Sequence, residues 1–178
     1  MTTAEQAEVE LANRQGLLHP SQRKTVLDGT FWVAAVLAAA GLVTAVVLPV
    51  TAIETRFGPG LASAGVVAAL GPAIPILALA VWFGIVCLRR LADVRGGRLV
   101  AITGWTHDFG TQRPDREYPV VLFTRLSRGL NEQHFLKAGG KQFPLYRSTH
   151  LRERIQPERT NTVLVTPRSK ILINVLPA

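Results

Sequence analysis

FWVAAVLAAAGLVTAVVLPVTAI, Phe31 to Ile53, decides the architecture of this chain, because 23 consecutive residues carry no charge. A helix rises about 1.5 Å per residue and a bilayer's hydrocarbon is about 30 Å thick, so roughly 20 apolar residues cross it. The stretch predicts a transmembrane helix. Leu61 to Leu88 supplies a second uncharged stretch of 28 residues, interrupted by Gly71, Pro72 and Pro75. Its surplus length predicts a tilt or kink, since each proline removes an amide donor and frees a carbonyl near Ala68 and Gly71.

Charge sets the expected orientation. The segment between the spans, Glu54 to Gly60, holds one Arg, whereas Arg23 and Lys24 precede the first span and Arg89, Arg90, Arg95 and Arg98 follow the second. The positive-inside bias places both termini in the cytoplasm of a multi-pass plasma-membrane protein. A cleaved signal peptide is the competing reading of the first span. It fits poorly, because Glu5, Glu8, Glu10 and Asp28 precede the apolar block where a short cationic segment belongs.

Within the spans small residues recur at four-residue spacing: Ala34 and Ala38, Ala35 and Ala39, Gly41 and Ala45, with Gly65 and Ala69 in the second. Gly41, Ala45, Gly65 and Ala69 are the expected sites of close helix packing, against each other or a partner helix. Neither span contains His, Asp, Glu, Lys, Arg, Asn or Gln, so a proton relay, ion path or axial haem ligand has no group to use there. Cys87 stands at a juxtamembrane position open to palmitoylation, against the plainer reading of a small apolar helix residue.

The N-terminal residues 1–29 read as a polar helical arm. Thr2 and Glu5 have capping-box spacing, EQAEVELANRQ runs to Gly16, and Pro20-Ser21 starts a second helix toward the first span. The spans form a hairpin over residues 30–90. From Leu91 the pattern changes to short apolar runs punctuated by Gly, Pro, Asn and Asp, which predicts strands at 98–105, 119–124, 133–137, 141–145, 162–166 and 170–176. Gly139-Gly140 and Pro167-Arg168-Ser169 are turns, and a short helix spans 148–155. So many short strands in 88 residues close most economically as a small antiparallel β-barrel or roll, SH3-like or OB-like.

The order of membrane hairpin, Gly97-Arg98-Leu99-Val100 strand, Tyr118-Pro119-Val120-Val121 strand, glycine hairpin and closing TVLVTPRSKILINV at 162–175 resembles uncharacterised bacterial membrane-anchored proteins with a small cytoplasmic β-domain. ANRQGLL at 12–18 followed by Gln22 resembles their short polar arm. The resemblance implies architecture and carries no activity.

Composition agrees with a membrane part beside one small domain: 178 residues, 48% hydrophobic, a mean hydropathy of +0.23 and a formal charge of +8. From Arg89 onward 16 Lys and Arg stand against 7 Asp and Glu, a balance of +9, and the rest of the chain sums to −1. Such a surface suits anionic headgroups, nucleic acid or an acidic subunit. Arg outnumbers Lys by 16 to 4, a bias that favours planar pairing with carboxylates and phosphates and that a GC-rich genome also produces.

Chemistry-bearing motifs are sparse. His107, Asp108, His134 and His150 fit no metal-ligand spacing, no serine lies in a nucleophile-elbow context, and Gly139-Gly140-Lys141 lacks the rest of a phosphate loop. No catalytic residue, cofactor or metal is expected. The loop WTHDFGTQRPDR combines Trp105 and Phe109 with Arg113 and Arg116, a mixture used at interfaces, with Trp105 equally suited to plug a barrel core. The expected role is a noncatalytic scaffold or accessory subunit of a larger membrane assembly. The alternative is a basic module held at the membrane for anionic lipid or nucleic acid. Other membrane subunits are the leading partners, followed by anionic lipids and a second copy, with nucleic acid last.

Overall fold

The elements follow the expected order in the computed structural model of the chain, which describes residues 3–56, 62–109, 118–126, 132–145 and 148–177. Side chains are described for these apart from residues 52–56, 62–70, 126 and 149. Two units are distinguished: Lys24–Arg95, and a unit formed by Met1–Arg23 together with Gly96–Ala178.

The helical unit contains α2 (Arg23–Val26, entered from the arm), α3 (Gly29–Arg56) and α4 (Ala62–Gly96). Both long helices include apolar windows long enough to cross a membrane, Gly29–Thr51 and Gly71–Gly96. In these windows only 6% and 17% of residues are buried, unlike the core helix of a soluble protein. Trp32, Val36, Val43, Val46, Ile74, Leu79, Trp82 and Leu88 all point outward. The helices run antiparallel, since Asp28 meets Arg90, Phe31 meets Cys87 and Gly41 meets Ala80. Pro49, Pro72 and Pro75 are accommodated within them.

The other unit begins with α1 (Thr3–Arg14), whose Ala, Glu, Gln and Leu content favours helix. It ends in a Schellman turn: Gly16 takes φ +72°, its N–H donates to Asn13 O at 3.0 Å and Leu17 N–H to Ala12 O at 2.9 Å. Leu17 then bridges Arg98, flanked by Leu18 N–H to Gly97 O at 2.8 Å and Leu99 N–H to Gly16 O at 2.7 Å. Through Arg23 the N-terminal segment groups with the β-rich unit, held by backbone bonds between Gly16–Leu18 and Gly97–Leu99 that local pattern cannot encode.

Six strands follow: β1 (Val100–Phe109), β2 (Val120–Leu126), β3 (Glu132–Ala138), β4 (Lys141–Pro144), β5 (Thr160–Val165) and β6 (Leu172–Pro177), with α5 (Thr149–Arg154) between β4 and β5. They form one curled mixed sheet, a half-barrel, in the order β4-β3-β2-β1-β5-β6. This corrects the all-antiparallel barrel or roll. β1 and β2 are parallel, with Thr106 opposite Val120 and Phe109 opposite Phe123. Apolar alternation is the same in either direction, so the strands were legible and their sense was not. The informative signal was the ten-residue connection from 110 to 119, too long for a tight hairpin and long enough for a crossover.

The inner face carries the core: Ile102, Val120, Leu122, Leu136, Ala138, Phe143, Val163, Val165, Leu172 and Val175, covered by Leu145 and by Leu151 and Ile155 of the α5 segment. Two buried asparagines of the sheet are hydrogen-bonded. Asn161 donates to Thr106 Oγ1 at 2.8 Å and to Gln156 O at 2.7 Å, fixing the turn before β5 to β1. On terminal strand β6, Asn174 Oδ1 accepts from Val175 N–H at 2.9 Å and from Arg154 Nη1 at 3.2 Å, occupying groups that an open edge would present to another strand.

Candidate functional site

Contact between α3 and α4 follows from the size of their facing residues. Phe31, Ala34, Ala38, Gly41 and Ala45 advance in steps of three and four residues, as do Ala73, Ile76, Ala80, Phe83 and Cys87 on α4. This is the spacing with which two helices wind left-handed about one seam. Six of the ten are buried: Phe31, Ala34, Ala38, Ala73, Ala80 and Cys87. A Cβ built on Gly41 would lie 2.8 Å from Ala80 Cβ, so the backbones approach so closely there that any side chain must push the helices apart.

Four predicted packing sites thus separate. Gly41 lies in the seam, Ala45 is half-buried one turn beyond it, and the side-chain positions of Gly65 and Ala69 lie outside the described residues. Ala39, equally small, is exposed. Ala73 and Ala80 belong to the seam, and the alternating three-and-four spacing was the signal that would have selected them. Cys87 faces inward, its thiol 3.8 Å from Phe31 O, which takes it out of the acylation reading.

A polar clasp closes one end of the seam. Asp28 precedes the first residue of α3 and its Oδ1 accepts from Phe31 N–H at 3.1 Å and Thr30 Oγ1 at 2.6 Å, capping the helix. From α4, Arg90 Nη1 donates to that same Oδ1 at 2.6 Å and to Val26 O at 3.2 Å, and Nη2 to Thr30 Oγ1 at 2.9 Å. Partial burial pushes the Asp28 carboxyl up, but the bonds from Thr30, Arg90 and Phe31 outweigh it and hold the group below its ordinary value. Of the predicted basic residues Arg89, Arg90, Arg95 and Arg98, Arg90 is therefore committed internally. Arg89, Arg95 and Arg98 are exposed.

The predicted interaction loop is partly strand. β1 continues through Phe109, and its outer face carries Trp105, His107 and Phe109. Trp105 is 49% exposed and is no core plug; its Nε1 donates to Glu158 Oε2 at 3.2 Å. Phe109 is half-buried, its ring centroid 5.5 Å from that of Tyr118, whose ring lies against His107 at 4.1 Å, tilted by 47°. Glu158 Oε1 also accepts from Asp108 N–H at 2.8 Å, and these bonds hold its carboxyl below the ordinary glutamate range. Arg113 and Arg116 lie outside the described residues.

The histidines do not converge. His134 Nδ1 is 2.8 Å from Thr124 Oγ1, and burial with Arg152 nearby lowers its pKa, whereas His150 is exposed. Among the described residues no group of three or more His, Cys, Asp or Glu is arranged to hold a metal ion. Comparison with protein-family models, curated proteins and solved structures finds no match to this chain.

Proposed function

We propose that this chain is an integral membrane protein with both termini cytoplasmic, serving as a noncatalytic scaffold or accessory subunit of a larger membrane assembly. The observation that carries the reading is the division of labour on the two helices. Small residues are used on each other in the seam, and the outward faces are aliphatic and aromatic without one ionisable group from Phe31 to Ile53. Such a surface recognises lipid or another apolar helix by packing alone. Orientation is supported by the exposed Lys24, Arg89 and Arg95, which flank the two helices at one end, because Lys and Arg gather on the cytoplasmic side.

Extraction of the full chain in a mild detergent, followed by mass spectrometry of what co-purifies in stoichiometric amount, tests this role. A stable membrane-protein partner supports it, and a lone chain at all detergent concentrations overturns it.

A second reading, a basic module for anionic lipid, draws on the exposure of Lys24, Arg89 and Arg95 while Arg90 is neutralised by Asp28. Each exposed cation near a bilayer surface contributes about 1 kcal/mol toward anionic headgroups. Enrichment of phosphatidylglycerol over phosphatidylcholine around the reconstituted chain, lost in a Lys24→Gln, Arg89→Gln, Arg95→Gln variant, is the outcome it requires.

A further inference from the structure

We propose that α1 is a latch, swinging about Gly16 between a docked state on the β-rich unit and a released state that frees Nη2 of Arg154 from its carboxylate partner. The docked helix carries Glu5, Glu8 and Glu10 against Arg14, a net −2, on a unit whose excess charge is positive. An ion pair ties its body to that unit. Glu10 Oε2 accepts from Arg154 Nη2 at 3.2 Å, and the same arginine reaches Asn174 Oδ1 through Nη1. Both partners of that ion pair are about one-third exposed, so dissolved salt screens it.

Apolar anchorage of the helix is small. Val9 is the one fully buried large aliphatic residue of α1, and Leu11 is turned to solvent. The residue one turn after Val9 on the same face works against docking. Asn13 is 1% exposed, yet neither its Oδ1 nor its Nδ2 finds a hydrogen-bond partner. A buried amide without partners favours whichever state returns it to water, so every docking event strips Asn13 of bonds that release restores.

The hinge is already built. Gly16 occupies the left-handed region at φ +72°, its carbonyl stays fixed by Leu99 N–H, and beyond it Leu17 and Leu18 remain paired to Arg98 and Gly97 at β1's entry. Release therefore moves α1 without unravelling the sheet.

Amide hydrogen exchange of the full chain in detergent, read by mass spectrometry at 50 and 500 mM NaCl, tests the latch. Residues 9–14 are expected to exchange faster than β5 and β6, and faster again at high salt. Asn13→Leu slows their exchange about tenfold, Glu10→Gln accelerates it and removes most of the salt response, and Gln6→Leu on the exposed face changes nothing. Unaltered protection of β5 and β6 in each variant shows that the fold is intact. Exchange of 9–14 as slow as the core strands, or no slowing by Asn13→Leu with the strands intact, overturns the latch.

Discussion

Substituting Gly41 tests the seam more directly than any other change. Two carbon atoms are in optimal contact at about 3.5–4.0 Å, and a Cβ on Gly41 would stand 2.8 Å from Ala80 Cβ, with Ala80 Cα and Ile76 O each at 3.6 Å. The helices must part by on the order of 1 Å, and the separation is felt at Ala38 and Ala34, whose contacts depend on the same approach. Overpacking of this kind costs about 1–3 kcal/mol, and Gly→Ala in a helix returns at most about 1 kcal/mol of propensity. Gly41→Ala is thus expected to be neutral to mildly destabilising, and Gly41→Leu, with three more carbons and little propensity advantage, to open the seam. Gly84 is the internal control, because a Cβ there meets nothing within 4 Å and Gly84→Ala gains propensity without a clash. The assay uses native Cys87, which packs with Phe31 and Ala34. In an Ala34→Cys background, oxidation links the helices, and the yield reports their proximity. Reduced yield and a lower SDS unfolding midpoint are expected for Gly41→Leu, with both preserved in Gly84→Ala and in Val43→Leu, which is exposed. A Gly41→Leu protein that cross-links and unfolds like the parent would refute the close-packed seam.

Breaking the clasp by Arg90→Gln should cost about 1 kcal/mol after discounting for the exposure of Asp28, measured as a shift in the same unfolding midpoint. Because the Asp28 carboxyl is held below its ordinary value of 3.8, its stabilisation is complete above that value and is lost as pH falls through the lower folded one; Asp28→Asn should flatten this acid limb. In the β-rich unit Leu136 is wholly buried in the core, so Leu136→Ala is expected to cost about 2–5 kcal/mol by thermal melting, and a loss under 1 kcal/mol would contradict the assigned core. Cysteines placed at Ser21 and Ser169 in a Cys87→Ala background should resist an impermeant maleimide in intact cells and react after permeabilisation; labelling from outside reverses the proposed orientation.

How legible each part was depended on whether its cause was local. Two apolar helices, a break between them and strands near 98–105, 119–124, 133–137, 141–145, 162–166 and 170–176 could be read directly, because charge-free length, alternation and turn residues act within a few positions of the chain. Gly41 is the one glycine of its span, a property of the chain itself that no tertiary contact is needed to read.

The rest was decided by contacts between distant positions. Alternation does not record strand sense, so the parallel pairing of β1 with β2 came only with the crossover, and so did the extension of β1 through His107 and Phe109. Small residues at Ala35, Ala38 and Ala39 look alike in sequence, and the rotation of α3 against α4 alone chose Ala38 for the seam and left Ala39 exposed. A guanidinium at position 90 reads as one more surface charge until Asp28, 62 residues earlier, is placed 2.6 Å away. The sequence by itself therefore determined where apolar surface and charge lie along the chain, since those are properties of single residues. Tertiary structure determined which of them are used internally, since a hydrogen bond, a seam and a burial each require two segments at once.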